Sequence, residues 1–425
     1  MTTQAIPVTR EQTLPAPTSR IAERLRGPAE LVRMPGFLQL VIGNALSHAF
    51  AMRMQGIAIA WVVLEMTGSR MWLGIINGVP AISIIVFSLL AGVLADTRDS
   101  RRVLLVVRSG LAATAFTGSL LILTGQIRLE YLIIYALVVV GLSAIDLPLA
   151  RTLTMQMVGP ARLMNANATQ TMIMNVISII TPMSIALVIG LGGTWAAFSL
   201  LGIGYTFGTL FLWKTRLEAP AMERHGSKPL ADLVAGLSYV KATPTVAGLV
   251  SLGFLMPFVG VYFALIPVFA RDVLSSGAGG LGILVGAFSL GSLIGSIRLV
   301  TSGTMTKRGC KVALLSVIFG AGMIAFALSE SMLISSLISV GMGFVGAYWQ
   351  NMLTTMVQTE SAPEMRGRAL SVFTMGFQLA SLGWLIGGAT ASFIGPQAAV
   401  IAAGAIFAGL STLIMATRPE VCQID

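Results

Sequence analysis

The sequence predicts an all-α integral membrane protein with twelve transmembrane helices arranged as two halves of six. Hydrophobic residues make up 55% of the 425 residues and charged residues only 10%, whereas soluble domains carry about a quarter charged residues. The apolar residues fall in blocks of about 20, the length at which a helix crosses the hydrocarbon core of a bilayer. Each block is apolar on every side, which excludes the two-residue alternation of a membrane β-barrel.

Twelve such blocks lie between breaks that are charged or rich in glycine and proline. The predicted spans are Phe37–Leu64, Trp72–Leu94, Val103–Thr124, Tyr131–Leu153, Ala168–Gly190, Thr194–Trp213, Thr245–Ala270, Gly279–Val300, Lys311–Ser329, Met332–Val357, Ala369–Ile394 and Gln397–Ala416. The longest polar interval separates the first six from the last six.

This division predicts five regions along the chain. Residues 1–36 are a cytoplasmic tail, 37–213 the first six-helix half, 214–244 a cytoplasmic central loop, 245–416 the second half and 417–425 a second tail. Within the central loop, Pro229 to Val240 has the apolar spacing of a helix that lies on the membrane surface.

The basic residues indicate the orientation of the chain. Of the 27 lysines and arginines, all but four are assigned to the side of the two termini. Arg108 is one of the residues assigned to that side. Arg70, Arg128 and Arg271 fall on the opposite side, and Arg53 lies inside the first span. Because cytoplasmic loops are enriched in basic residues, we expect a multi-pass protein of a bacterial-type inner membrane with both termini cytoplasmic. The same asymmetry explains the net charge of +10 without a nucleic-acid partner.

The clearest local motif lies between the second and third spans and reads Gly92-Val-Leu-Ala-Asp96-Thr-Arg98-Asp-Ser-Arg101-Arg102. It resembles the signature loop of the major facilitator superfamily, in which an aspartate follows a glycine by four residues and precedes an arginine cluster. In that family the loop latches the two halves together in the outward-open state. The implied latch residues are Gly92, Asp96, Arg98, Arg101 and Arg102. The alternative is an ordinary basic loop on the cytoplasmic side.

Other segments resemble the branch of that superfamily with enterobactin-type siderophore exporters and macrolide-type efflux proteins. They are Trp61-Val-Val-Leu-Glu-Met-Thr67-Gly68-Ser69, Asp146-Leu-Pro148-Leu-Ala-Arg151, Asn165-Ala-Asn167-Ala, Gly236-Leu-Ser-Tyr-Val and Arg366-Gly367-Arg368. The resemblance covers nearly the whole chain from Met34 onward and implies the major facilitator fold and export of a small molecule. The chain departs from the exporter pattern at Thr181-Pro182, where exporters often carry Gly-Pro, and at Met52-Arg53, where the branch tends to place an acid.

Charged and titratable side chains in the spans are candidates for proton coupling or for a charge network: Asp146, Arg151, His48 and Arg53. Ionisable groups in a bilayer are costly, so they usually face a cavity or a partner. Asp146 lies inside the fourth span, shortly before Pro148. It can cycle a proton during transport, or it can be a permanently ionised partner of Arg98, Arg101 or Arg151.

Polar residues in the first span are candidates for the wall of a substrate cavity. Asn44, His48 and Gln55 point in directions that agree within about 40° on a helix, and Arg53 points to the opposite side. Histidine can also titrate near neutral pH. The alternative is hydrogen bonding between neighbouring helices.

The second half contributes a similar set of cavity candidates in the tenth and eleventh spans: Trp349, Gln350, Asn351 and Gln378. The three consecutive residues cannot all face one way on a helix. Aromatic and amide side chains suit an amphipathic organic substrate, and packing between helices is again the alternative.

These features favour secondary transport by alternating access. The chain lacks the GxxxxGK[ST] phosphate loop that direct ATP use requires. With only two histidines and no GxSxG motif, it is not expected to be an enzyme or to hold a catalytic residue, cofactor or metal. We predict a monomer that exports a small amphipathic molecule, siderophore or drug-like, in exchange for protons. The alternatives are an importer or uniporter of a small metabolite and a non-transporting receptor or scaffold.

Overall fold

A computed structural model of the chain describes residues 31, 34–78, 87, 99–159, 162–215, 229–301 and 308–424. Regular secondary structure in these ranges is helical throughout, which confirms the predicted all-α fold. The latch candidates Gly92, Asp96 and Arg98 lie outside the described residues, as do residues 216–228 of the central loop.

The first half contains six helices. They are α1 (Phe37–Thr67), α2, of which Arg70–Gly78 and Phe87 are described, α3 (Ser100–Leu123), α4 (Leu129–Val158), α5 (Leu163–Gly192) and α6 (Thr194–Lys214). The described part of each helix overlaps one predicted span. The apolar blocks therefore predicted the number and order of these helices.

The second half follows the helix of the central loop, α7 (Pro229–Ala242). Its six helices are α8 (Pro244–Val273), α9 (Gly277–Thr301), α10 (Arg308–Leu328), α11 (Met332–Glu360), α12 (Arg366–Ile394) and α13 (Pro396–Thr417). A short 3₁₀ helix, Pro419–Gln423, ends the chain. Among the described residues, ten helices are long and apolar enough to cross a membrane.

The two halves share local features, although not all of these lie at equivalent positions. Gly193 joins α5 to α6 with a φ of 77°, and Gly395 joins α12 to α13 with a φ of 86°. Glycine adopts this left-handed region without steric cost, which allows two long helices to turn within one residue. Both halves also begin with a helix that contains a π-helical stretch, Ala45–Met52 in α1 and Phe269–Val273 in α8.

The helices of each half pack mainly against one another. In the first half α3 packs along α6, and in the second half α9 packs along α11, α10 along α13 and α8 along α12. The halves meet where α2 packs against α12 and α5 against α9. With smaller contacts of α8 with α1 and α2, these two pairs form the seam between the halves.

The contact between α9 and α11 depends on Gly343. A Cβ atom at Gly343 would clash with the backbone carbonyl of Phe288. We expect Gly343→Val to lower the free energy of unfolding by about 1–3 kcal/mol, because the two backbones must separate. The matched control is Gly341→Val on the same helix, where a Cβ meets no atom within 4 Å. Thermal unfolding in detergent measures both, and equal losses for the two variants would contradict the packing account.

Candidate functional site

A buried ion pair joins α3 to α4. The Nε atom of Arg108 donates a hydrogen bond to Oδ1 of Asp146 at 3.0 Å. The Arg108 side chain is 0% exposed and that of Asp146 is 2% exposed. Because isolated charges in an apolar interior are strongly unfavourable, each of these residues requires the other.

Two residues of α1 complete this cluster. Nη2 of Arg108 donates to Oδ1 of Asn44 at 2.7 Å, and Nε2 of His48 lies 3.5 Å from Oδ2 of Asp146. Asn44 ends the first α-helical segment of α1, and His48 lies in the π-helical stretch that follows it. One cluster therefore connects α1, α3 and α4 inside the first half.

The cluster leaves some hydrogen-bonding capacity unused. Among the described residues, Nη1 of Arg108 and Nε2 of His48 have no hydrogen-bond partner. The His48–Asp146 contact is thus close enough for an ion pair but lacks hydrogen-bond geometry. With a neutral His48, the positive charge of Arg108 and the negative charge of Asp146 cancel. A proton on His48 would give the cluster a net positive charge.

The polar stripe predicted on α1 lies inside the first half. Asn44, His48 and Gln55 are all buried. Oε1 of Gln55 accepts a hydrogen bond from the hydroxyl of Tyr205 on α6 at 3.2 Å. The π-helical stretch between Asn44 and Gln55 departs from the regular helical spacing on which their shared face was predicted, and these contacts favour hydrogen bonding between helices over a cavity wall.

The sequence did not identify the partner of Asp146. Arg108 was assigned to the cytoplasmic side, and the structure corrects this by burying it in α3. Its position in the apolar segment Leu104-Leu-Val-Val-Arg108-Ser-Gly-Leu was the available signal. Arg151 is exposed at the surface of α4, and nothing is described of the Arg53 side chain.

The described part of the latch candidate begins at Asp99, which caps α3 by accepting a hydrogen bond from the backbone nitrogen of Arg101 at 2.9 Å. Nη2 of Arg101 donates to the carbonyl of Trp213 at the end of α6, at 2.6 Å. Nε of Arg102 lies 3.5 Å from Asp99 on the exposed surface. These contacts stay within the first half, so the proposed latching between halves stays a prediction.

The candidates in the second half are placed differently from one another. Trp349 is buried and packs against Phe377 and Phe407, with ring centroids 6.5 Å and 6.0 Å away. Gln350 and Asn351 are exposed, and Nδ2 of Asn351 donates to Oγ of Ser296 on α9 at 3.3 Å. The side chain of Gln378 is outside the described part of the structure. Trp349 therefore contributes to the core of this half.

Comparison with known sequences identifies relatives along most of the chain. The profile of a family described as transmembrane secretion effector matches residues 31–425. The enterobactin exporter EntS of Escherichia coli O81 is 26% identical over 348 residues, which covers 80% of this chain and 81% of the exporter. The enterobactin exporter EntS of Shigella boydii serotype 18 matches with the same identity and coverage.

Solved structures of transporters share the fold. A bacterial homolog of the human lysosomal transporter Spinster, in an inward-facing and unoccupied conformation, aligns with a TM-score of 0.69 and 14% identity over 91% of this chain and 95% of that chain. The nucleoside transporter NupG aligns with a TM-score of 0.68 and 17% identity over 92% of this chain and 100% of that chain. At these identities the likeness concerns the fold alone.

Proposed function

The chain belongs to the transmembrane secretion effector family of the major facilitator superfamily, and on that basis we propose that this membrane transporter exports a small amphipathic organic molecule in exchange for protons. The substrate class that we propose is a siderophore or a drug-like compound. Support comes from the 26% identity to a protein named as an enterobactin exporter. As a transporter, the chain is not an enzyme.

The buried cluster in the first half is the observation that carries proton coupling. Histidine is the side chain whose charge changes most readily between pH 5 and 8, and His48 lies against the ion pair of Arg108 and Asp146. A proton on His48 allows the imidazolium to compete with the guanidinium for the same carboxylate. Since the three residues lie on three helices, the competition changes the forces that hold α1, α3 and α4 together.

Alternating access then links this change to transport. Two halves that rock about a central site expose that site to one face of the membrane at a time. In the proposed cycle, a proton that enters from the outside reaches His48 in one state and leaves to the cytoplasm in the other. The substrate moves in the opposite direction. Both termini lie in the cytoplasm in this scheme.

A flux assay tests the proposed function. Inverted membrane vesicles that contain the protein are supplied with a panel of catecholate siderophores and lipophilic drugs. We expect at least one panel compound to accumulate without ATP, and a protonophore to abolish the accumulation. Vesicles without the protein are the control. Accumulation of panel compounds only in right-side-out vesicles would contradict export.

A further inference from the structure

Three charged residues meet at the end of the bundle opposite the termini. Nη2 of Arg70, at the start of α2, lies 3.3 Å from Oδ2 of Asp272. Nε of Arg271 lies 2.6 Å from Oδ1 of the same carboxylate. Arg271 and Asp272 belong to the π-helical last turn of α8. One carboxylate therefore binds two arginines, one from each half.

The same arginines also bind backbone carbonyls across the seam. Nη1 of Arg271, in the second half, donates to the carbonyl of Leu64 near the end of α1 at 2.5 Å. Nη1 of Arg70, in the first half, donates to the carbonyl of Ala391 on α12 at 3.4 Å. With the Arg70–Asp272 contact, three polar contacts connect the halves at this face.

The helices that bear these residues approach each other closely. A Cβ atom at Gly74 of α2 would lie 2.9 Å from the Cα of Gly388 on α12, and one at Gly388 would lie 2.6 Å from the carbonyl oxygen of Arg70. Backbone therefore meets backbone directly beside the charged cluster. The seam is closed at this face of the membrane.

The exposure of the three residues suits contacts that break and reform. Their side chains are 25–32% exposed, and ion pairs that water reaches are individually weak. The buried pair of Arg108 and Asp146 lies within one half and has no need to open. By contrast, contacts across the seam must separate whenever the halves part at this face.

We propose that Arg70, Arg271 and Asp272 form an outer gate, which holds the two halves together at the face opposite the termini and opens to release substrate there. The gate closes the outer face while the central site is open to the cytoplasm. Each arginine bridges the seam, so loss of any of the three residues weakens the closed state. The release of substrate at this face rests on the proposed export, whereas closure of the seam by these residues depends on neither the substrate nor the coupling ion.

Thiol labelling tests the outer gate without a known substrate. The native thiols are removed by Cys310→Ser and Cys422→Ser, and Ala391→Cys places a single thiol at a buried position beside the gate. Whole cells receive a membrane-impermeant thiol reagent. We expect Asp272→Asn to raise the labelling rate about threefold or more, because the outward-open state becomes more populated.

Two further variants make the result decisive. Arg70→Gln removes the gate residue that lies in the first half and should raise the labelling rate to a similar extent. Agreement between the two variants shows that the rise does not come from a folding defect in Asp272→Asn. Arg128→Gln removes an exposed arginine from the same face and should leave the rate unchanged. Unchanged labelling in both gate variants, or an equal rise in Arg128→Gln, would overturn the proposal.

Discussion

Replacing Arg108 with glutamine is expected to lower the free energy of unfolding by about 3–5 kcal/mol, because it leaves a buried carboxylate without its counter-charge. Asp146 is 2% exposed and its hydrogen bond to Nε of Arg108 is 3.0 Å long. Water cannot replace that partner without opening the helices of the first half. Thermal unfolding in detergent measures the loss.

A second variant separates the charge effect from simple loss of packing. Arg108→Gln combined with Asp146→Asn removes both charges and keeps groups that can donate and accept hydrogen bonds. We expect the double variant to recover most of the stability, since replacing both members of a buried pair avoids the uncompensated charge. The control is Arg151→Gln, at an exposed arginine of α4, the helix that bears Asp146. It should change the free energy of unfolding by less than about 0.5 kcal/mol. A double variant no more stable than the single one would contradict this account.

Replacing His48 with glutamine is expected to reduce pH-gradient-driven flux to about a tenth or less, because glutamine cannot bind a proton at neutral pH. Glutamine is polar and its introduction breaks no hydrogen bond of Nε2, which has no partner among the described residues, so stability should be largely kept. The His48→Gln variant should also still move substrate down the substrate's own concentration gradient. The assay is flux in inverted vesicles with an acid lumen, using a compound found to be transported.

The matched control for His48 is its neighbour on α1. Ser47 is buried, and its hydroxyl makes no hydrogen bond in the described part of the chain. Ser47→Ala should therefore keep the response to the pH gradient. If His48→Gln retained that response, or if Ser47→Ala lost it to the same extent as His48→Gln, His48 would not be the coupling residue.

The transmembrane helices were predictable because hydropathy is a local property. The apolar run from Met332 to Val357, for example, contains what is needed to predict α11, which ends at Glu360. The same reading singled out the polar residues Asn44, His48 and Gln55 of α1, all of which are buried. Neither prediction depends on which helices are neighbours.

Partners across helices were not predictable in this way. Arg108 and Asp146 are 38 residues apart, and no periodicity in either helix specifies that α3 and α4 present them to each other. The rule for basic loops assigned Arg108 to the cytoplasm because it counts charges and ignores the partner that makes burial possible. Trp349 was a candidate for a cavity wall because its aromatic neighbours could not be known from the sequence of its own helix. Those neighbours, Phe377 and Phe407, lie on other helices.

Proton movement caused by the transported compound tests the central claim most directly. The protein is reconstituted in liposomes that contain a pH-sensitive dye, and a transported compound is added on one side without a pre-formed pH gradient. Wild-type protein should move protons in the direction opposite to the compound, and His48→Gln should move the compound with little or no proton signal. Equal proton signals from the two proteins, or no signal from wild type during transport, would contradict coupling through the cluster of Arg108, Asp146 and His48.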